Sequence, residues 1–448
     1  MNERILLCLA HMSGKEQEFI KEAFDTNWVV PLGPNVNGFE KDLEKFVNQV
    51  SPMRNAQCTM RNGNDEGNRA DDDCALRITN CAMNKRVVAL SAGTAAVHLA
   101  LIACGVMPGD EVLVQSFTFC ASSHPITYLG ATPVFVDSER ETWNMDPDLL
   151  EEAIKDRIAK TGRKPKAIIP VALYGMPYRI DRIMEIADRY GIPVIEDAAE
   201  GFGSRFKGQV LGTFGKYGVL SFNGNKMITT SGGGALICPD EESWRKIMWY
   251  ATQARESYPY YQHEAIGFNY RMSNICAGIG RGQMTVADEH ITHHSHVQAL
   301  YEELLKDVKG IKMHTAPSAE YDSNFWLCTA TLDPDLKIKG QENAYRQIIT
   351  GAVGGAAGVT HASKTATTDC QPNANVEALR LALDAANIES RPLWKPMHKQ
   401  PVYRDAPAYV NGVSESLFKV GICLPAGPWV TDDHIRYIVD KIKESIEE

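Results

Sequence analysis

The chain predicts an α/β fold: a mostly parallel mixed sheet in a large domain over residues 1–285, then a smaller C-terminal α/β domain over 286–448. Three observations carry that expectation. Short apolar, β-rich runs alternate with helical stretches from Arg86 to Cys238, and that alternation suits parallel strands covered by helices. At 448 residues the chain exceeds one ordinary domain. A long helical pattern at about Gln283–Leu305 then leads into a second set of strands and helices.

Two helical patterns between Gly14 and Gln49 flank the Pro/Gly turn around Pro31–Pro34. Residues 51–84 are polar and irregular and read as a surface insertion; Cys58, Cys74 and Cys81 lie there without metal-ligand spacing. Arg86–Leu90 is a strand, followed by the glycine turn Ser91–Thr94 and an apolar helix through Ala103, and Glu111–Ser116 and Thr132–Asp137 are further strands. Pro147–Lys155 is a helix that Asp146 should cap, with proline at its first position. A strand at Ala167–Leu173, a helix at Asp181–Tyr190 and a strand at Pro193–Glu196 ending on Asp197 complete the alternation. Tyr217–Phe222 and Ala235–Cys238 bracket Lys226, Glu241–Arg255 reads as helical, and a helix rich in small residues follows Gly267–Asn274. The second domain should hold the strand Trp326–Leu332, the helix Val376–Ala386, the strand Ile388–Pro392 and a terminal helix from Thr431. An insertion is expected over 336–373.

An apolar fraction of 44% and a charged fraction of 23% are those of a globular chain with a large core. The net charge of −10, without a basic cluster, speaks against nucleic acid or an anionic membrane as partner. No apolar run reaches membrane-spanning length, and Met1–Ala10 is too short for a signal peptide. Eleven cysteines, mostly lone residues in apolar runs, fit reduced thiols and a cytoplasmic location. His290, His293, His294 and His296 lack a Cys or carboxylate partner, so a polar helix face is expected and no metal. Gly351–Gly358 resembles a dinucleotide loop but has no preceding strand, so a loop is expected there.

The chemistry gathers around Lys226. Most lysines are solvated, but this one follows Ser221 and the Asn223-Gly224-Asn225 break and precedes Gly232-Gly233-Gly234, where backbone can approach a ligand closely. A lysine partly withdrawn from water can act as an amine and form a Schiff base with an aldehyde. Pyridoxal phosphate needs such a lysine, an acid for its pyridine nitrogen, a phosphate cradle and an aromatic face. Asp197 supplies the acid, where a lone Asp would otherwise read as a helix cap. Gly93, Thr94 and Ser221 supply the cradle, at a strand–glycine–helix junction with free N–H groups. Phe119 supplies the face. Gly93, Phe119, Asp197 and Lys226 all fall at strand carboxyl ends, where ligands sit in such sheets.

These residues lie within runs that resemble the DegT family of sugar-nucleotide aminotransferases, fold-type-I pyridoxal phosphate enzymes of the aspartate aminotransferase kind. The runs are Ser91-Ala-Gly-Thr-Ala-Ala, Gly109-Asp-Glu-Val, Ser116-Phe-Thr-Phe, Gly130-Ala-Thr-Pro-Val-Phe-Val-Asp and Leu173-Tyr-Gly-Met-Pro. Glu196-Asp-Ala-Ala-Glu, Ser221-Phe-Asn-Gly-Asn-Lys, Gly267-Phe-Asn-Tyr-Arg-Met and Cys423-Leu-Pro continue them. The resemblance implies a cofactor site that also includes Asn223 and Glu200, where many members carry His or Gln. It implies that Asn269 reaches the phosphate of a neighbouring subunit in a homodimer with shared sites. Asn223–Gly234 and Glu389–His398 are most similar to enzymes that aminate UDP-4-keto-6-deoxy-N-acetylhexosamines in bacterial glycan biosynthesis. Trp394, Lys395 and His398 are accordingly expected at the substrate.

The expected activity is transfer of an amino group from L-glutamate, through pyridoxamine phosphate, to the sugar's 4-keto carbon. Lys226 would serve as general base and acid, with ping-pong kinetics. A GDP-linked or 3-keto sugar is the alternative substrate, and a regulatory protein that binds the cofactor without turnover the alternative class.

Overall fold

The computed structural model describes residues 3–49, 85–347 and 370–447. The insertion expected at 51–84, with Cys58, Cys74 and Cys81, lies outside them, as do Gly351–Gly358 and most of the insertion expected at 336–373.

Local chemistry accounts for the helices. Asp146 accepts hydrogen bonds from the Asp148 and Leu149 N–H groups and starts Pro147–Thr161, with Pro147 at the first position and Gly162, φ 69°, closing the end. Ile180–Tyr190 buries Ile183, Ile186 and Ala187 on one stripe. Thr431 caps the last helix, Asp432–Ser445, in a reciprocal box with His434.

Among the described residues, eight strands form the large sheet. Four run in the order Arg86–Leu90, Gly234–Cys238, Tyr217–Ser221, Ile195–Asp197, and four in the order Ala408–Tyr409, Thr132–Val136, Glu111–Gln115, Ala167–Ile169. Parallel bridges Ile168↔Val194 and Val171↔Asp197 join the two sets. Of these eight described strands only Gly234–Cys238 runs against its neighbours, so the sheet is mixed and mostly parallel. Alternate residues pack on opposite faces. Leu113 and Ile168 meet Phe39 and Leu43 of the helix Pro34–Val47 in one core, while Val112, Val114 and Ile169 meet the helix Gly93–Ala103 in another.

A second sheet, in the order Ile311–Met313, Cys328–Leu332, Gly421–Leu424, Arg391–Pro392, is antiparallel throughout. Its core gathers Tyr301 from the helix Ala287–Leu305, Leu379 from Ala374–Ala385 and Ile438 from the last helix. It also takes Ile5 from the other end of the chain. The two sheets are interleaved, since Ala408–Tyr409 leaves the second region to extend the first sheet beside Phe135 and Val136.

Several elements differ from the sequence reading. The strand expected over Ala167–Leu173 stops at Ile169, because Pro170 has no N–H for the ladder, and Leu173–Gly175 makes a 3₁₀ turn. The helix expected over Glu241–Arg255 ends at Ala251, and Gln253 and Ala254 take left-handed backbone. The helix rich in small residues runs over Asn274–Met284, and the long helix expected from about Gln283 starts at Ala287, the two being separated at the β-branched pair Thr285-Val286. The strand expected over Ile388–Pro392 shortens to Arg391–Pro392, with Ile388 bridging to Ile5 instead.

Among the described residues no helix is long and apolar enough to cross a membrane. No group of three or more His, Cys, Asp or Glu there could hold a metal ion.

Candidate active site

At the carboxyl ends of the central strands the structure leaves a chamber of about 310 Å³. Ser91–Thr94, Asp197, Glu200, Ser221, Asn223, Lys226 and Trp326 line it, with Phe119 and Trp394 at its aromatic side. The strands bring these residues together from sequence positions far apart. Ile195–Asp197 ends on Asp197, Tyr217–Ser221 ends on Ser221, and the next turn carries Lys226, whose N–H donates to Asn223 O at 2.9 Å.

The helix Gly93–Ala103 begins at the chamber wall. Ala92 at its N-cap has no side-chain acceptor, so its first N–H groups are left for a ligand, at the positive end of the helix. Gly93 allows a close approach here. A Cβ on it would lie 3.0 Å from Ser221 Cβ and 3.3 Å from Ser221 Oγ, closing the cradle between helix and strand. An uncapped helix end, an adjacent hydroxyl and a cradle that a methyl group would fill together fit a phosphate.

Asp197 is buried and accepts a 2.6 Å hydrogen bond from Ser122 Oγ and a 3.1 Å bond from the Ala199 N–H. Burial pushes its carboxyl up from the ordinary value, while Ser122, Ala199 and the charge of Lys226 pull the other way. Glu200 is also buried. Its Oε2 accepts from the Tyr174 N–H at 2.7 Å, and its Oε1 stands 3.4 Å from Lys226 Nζ. Burial raises the Glu200 carboxyl too, against the pull of Lys226 and of the Tyr174 N–H. Lys226 Nζ thus meets the buried Glu200 on one side and lies 3.9 Å from the centroid of the Trp326 ring on another.

Not every expected site residue lines this chamber. Phe119 is half exposed and its ring lies 5.5 Å from that of Trp394, so the two form one aromatic wall. Beyond that wall is a second cavity of about 360 Å³, lined by Phe119, His124, Trp394, Lys395 and Gln400. His398 lines neither cavity; its Nδ1 is 2.6 Å from Ser116 Oγ and its N–H donates to the same oxygen at 3.2 Å. Asn269 is exposed and lines a separate depression with Pro31, Leu32, Arg255 and Tyr258. It does not cap the following helix, because Ser273 does that by accepting from the Ile275 N–H. The histidines of Ala287–Leu305 are engaged separately: His290 Nδ1 with Met227 O, His294 Nδ1 with Phe325 O and His296 with Asp432.

Three contributors were missed from sequence. Trp326 comes from the bend just before the second-sheet strand Cys328–Leu332, which starts two residues later than the strand expected over Trp326–Leu332; Ser122 comes from a 3₁₀ turn and Tyr174 from a turn with φ 54°. Tyr174 lies just inside the quoted Leu173-Tyr-Gly-Met-Pro run, which was the available signal. Nothing local marks Trp326 or Ser122.

The chain belongs to the DegT/DnrJ/EryC1/StrS aminotransferase family, whose sequence pattern matches residues 75–349 and 341–443. It is 40% identical over 444 residues to the Bacillus subtilis (strain 168) protein EpsN. That match takes in 98% of this chain and 95% of EpsN. It is 31% identical over 433 residues to GDP-perosamine synthase of Escherichia coli O157:H7, spanning 97% of this chain and 96% of that one. A crystal structure of a DegT DnrJ EryC1 StrS aminotransferase from Brucella abortus superposes with a TM-score of 0.75 at 25% identity, over 96% of this chain and 95% of that one. The protein is therefore a sugar-nucleotide aminotransferase with the fold of these enzymes, and its cofactor is pyridoxal phosphate.

Proposed function

We propose that the chain moves an amino group from L-glutamate to the 4-keto carbon of a UDP-linked 4-keto-6-deoxy-N-acetylhexosamine. One observation carries the reading. The two segments most similar to such enzymes, 223–234 and 389–398, meet at one chamber, with Asn223, Lys226 and Trp394 all in its wall. Among the described residues the buried Trp394 Nε1–H has no acceptor, which costs about 1–3 kcal/mol unless a ligand supplies one. The cavity beyond Phe119 and Trp394, with Lys395 at its edge, offers room and positive charge for a nucleoside diphosphate.

Pyridoxal phosphate, when bound, takes up the amino group and the electrons released at the substrate carbon and later returns them. The chain's own residues do the rest. The N–H groups at Gly93 and Thr94, with Ser221 Oγ, would hold the phosphate, and Phe119 would cover the ring. Asp197, fixed by Ser122 and Ala199, would keep a proton on the pyridine nitrogen. Lys226 Nζ would carry a proton between coenzyme carbon and substrate carbon, with Glu200 beside it. His398, tied to Ser116, would orient the segment bearing Trp394 and Lys395.

Asn269 lies outside its own chain's chamber, in a depression bordered by exposed apolar residues that include Leu32. We take it to complete the phosphate site of a second copy, giving a homodimer with shared chambers.

Incubation with glutamate and UDP-4-keto-6-deoxy-N-acetylglucosamine, followed by NMR of the product, tests the substrate. An amine at carbon 4 is expected. A GDP-linked substrate is the second reading, favoured by the 31% identity to GDP-perosamine synthase across nearly the whole chain. Turnover of a GDP-4-keto-6-deoxy sugar in place of the UDP sugar would establish it.

A further inference from the structure

Lys226 is held from two sides by groups outside its own turn. Its Nζ is 3.4 Å from Glu200 Oε1 and 3.9 Å from the Trp326 ring centroid. An ammonium over an indole is attracted by the electron-rich face, and more so where water is excluded. Trp326 is 1% exposed and Glu200 5%.

Trp326 is fixed by more than packing. Its Nε1–H donates to Asn225 O at 2.6 Å, one residue before the lysine. Its backbone N–H donates to Asn324 Oδ1 at 2.8 Å, and Asn324 Nδ2 donates to the Glu200 and Phe202 carbonyls at 2.9 Å each. Phe325, between them, has φ 46°, a left-handed conformation that costs a side-chain-bearing residue on the order of 1–3 kcal/mol. Opposite lies Gly175, φ 93°, where a Cβ would fall 1.8 Å from Asn324 Oδ1. One strained turn therefore ties the Asp197–Glu200 loop, the lysine turn and the second sheet into a single unit that presents an indole face to Nζ.

We propose that Trp326 and Glu200 form a docking site for the Lys226 ammonium, which receives the side chain whenever it is not joined to the cofactor. Trp326 is then a positioning residue: it keeps the amine at the chamber wall, within reach of the atoms between which it moves protons. This rests on the reading of Lys226 given under Proposed function. A single carboxylate oxygen and a ring face hold the amine without a fork of hydrogen bonds, so the flexible stem can leave and return without dismantling a network.

The cofactor-free protein tests this directly. Reductive methylation followed by peptide mass spectrometry measures how fast Lys226 reacts relative to the other lysines. Docking protects the amine, so Trp326→Leu and Glu200→Gln should each speed its labelling about two- to five-fold, the size of one such contact. Trp326→Phe keeps a ring face and should label close to the wild-type rate. Unchanged rates in Trp326→Leu and Glu200→Gln overturn the docking site, as does Trp326→Phe reacting as fast as Trp326→Leu. Should circular dichroism show Trp326→Leu unfolded, Glu200→Gln alone decides, by a faster or an unchanged rate. In the reconstituted enzyme, Trp326→Leu should lower kcat for the glutamate half-reaction with KM little changed, and Trp326→Phe should restore it. The labelling uses neither amino donor nor sugar, so a protein that aminated no nucleotide sugar would still report on the docking.

Discussion

Arg271 and Lys226 each meet a buried glutamate, and the two pairs are built differently. Arg271 Nη1 lies 2.5 Å from Glu40 Oε1 and also donates to Ala89 O at 3.0 Å, while the Ala89 N–H donates to the same carboxylate oxygen at 2.8 Å. That arrangement fastens the helix Pro34–Val47 to the strand Arg86–Leu90 through a guanidinium that keeps its charge. Lys226 meets Glu200 at 3.4 Å through one oxygen, with an aromatic ring as its other support. Residues meant to stay are held by several short bonds. Lys226, which on the proposed reading must come and go, is held by one longer contact and a ring face.

Lys226→Ala should show the largest effect and separate the pairs most sharply. Transamination should fall about 10²–10⁴-fold or more, with the visible absorbance of the lysine-linked cofactor lost. The melting temperature should stay within about 2–4 °C of wild type. Normal turnover, or a collapse of stability, would erase the distinction between the pairs. Asp197→Asn should retain the cofactor and lower the rate about 10²–10³-fold, since it removes the charge but not the shape; stopped-flow absorbance with glutamate measures this.

Arg271→Met is the opposite experiment. It leaves Glu40 buried without its partner and should cost about 3–5 kcal/mol in urea unfolding. Lys226→Ala, leaving Glu200 with the Tyr174 N–H, should cost far less. Equal costs would break the comparison. Asn269→Ala should weaken cofactor retention about ten-fold, as expected for one lost bond to a charged phosphate. Mixing Lys226→Ala subunits with Asn269→Asp subunits should restore up to about a quarter of wild-type activity if chambers are shared. No recovery from proven heterodimers would place Asn269 in its own chain's service.

The smallest effect is on pH dependence. Burial raises the Glu200 carboxyl above its ordinary 4.5, so the folded state holds that proton more firmly than the unfolded state. Its contribution to stability is present below 4.5 and is lost as pH rises through the raised value. Glu415 runs the other way: hydrogen bonds from Lys399 and Lys419 pull it down to about 2. Its contribution is present above 4.5 and is lost as pH falls toward 2. Melting curves should show Glu415→Gln below wild type near neutrality and converging on it in acid. Glu200→Gln should gain less than wild type on acidification from neutral pH. Parallel curves for the two variants would contradict these opposite signs.

That the proposed lysine, acid and cradle residues would lie together could be read from sequence because each sits at a strand end or glycine turn, where backbone pattern and chemistry coincide. Gly93, Asp197, Ser221 and Lys226 are all of this kind, and all line one chamber. Trp326 could not be read. Its position against Lys226 depends on the left-handed turn at Phe325 and on bonds from Asn324 to carbonyls more than 120 residues away. The strand at Ala408–Tyr409 escaped for a similar reason: two residues carry no periodicity, and its partner is distant in sequence. Helix ends were misplaced where β-branched residues or positive φ values interrupt an otherwise helical pattern, as at Thr285-Val286 and Gln253.

That same two-residue strand bears on how the chain is made. Phe135 and Asp137 donate their N–H groups to Pro407 and Tyr409, and the Asp137 carboxylate accepts from Asn411, Gly412 and Ser414, contacts spanning up to 277 residues of sequence. While the polypeptide is being synthesised, the Thr132–Val136 edge has no partner until almost the whole chain has left the ribosome. Closing so long a loop is slow, and an open strand edge invites pairing with other nascent chains. Fragments that end before Ala408 should therefore aggregate as they emerge, because the pairing of this edge has to wait for the C-terminal region.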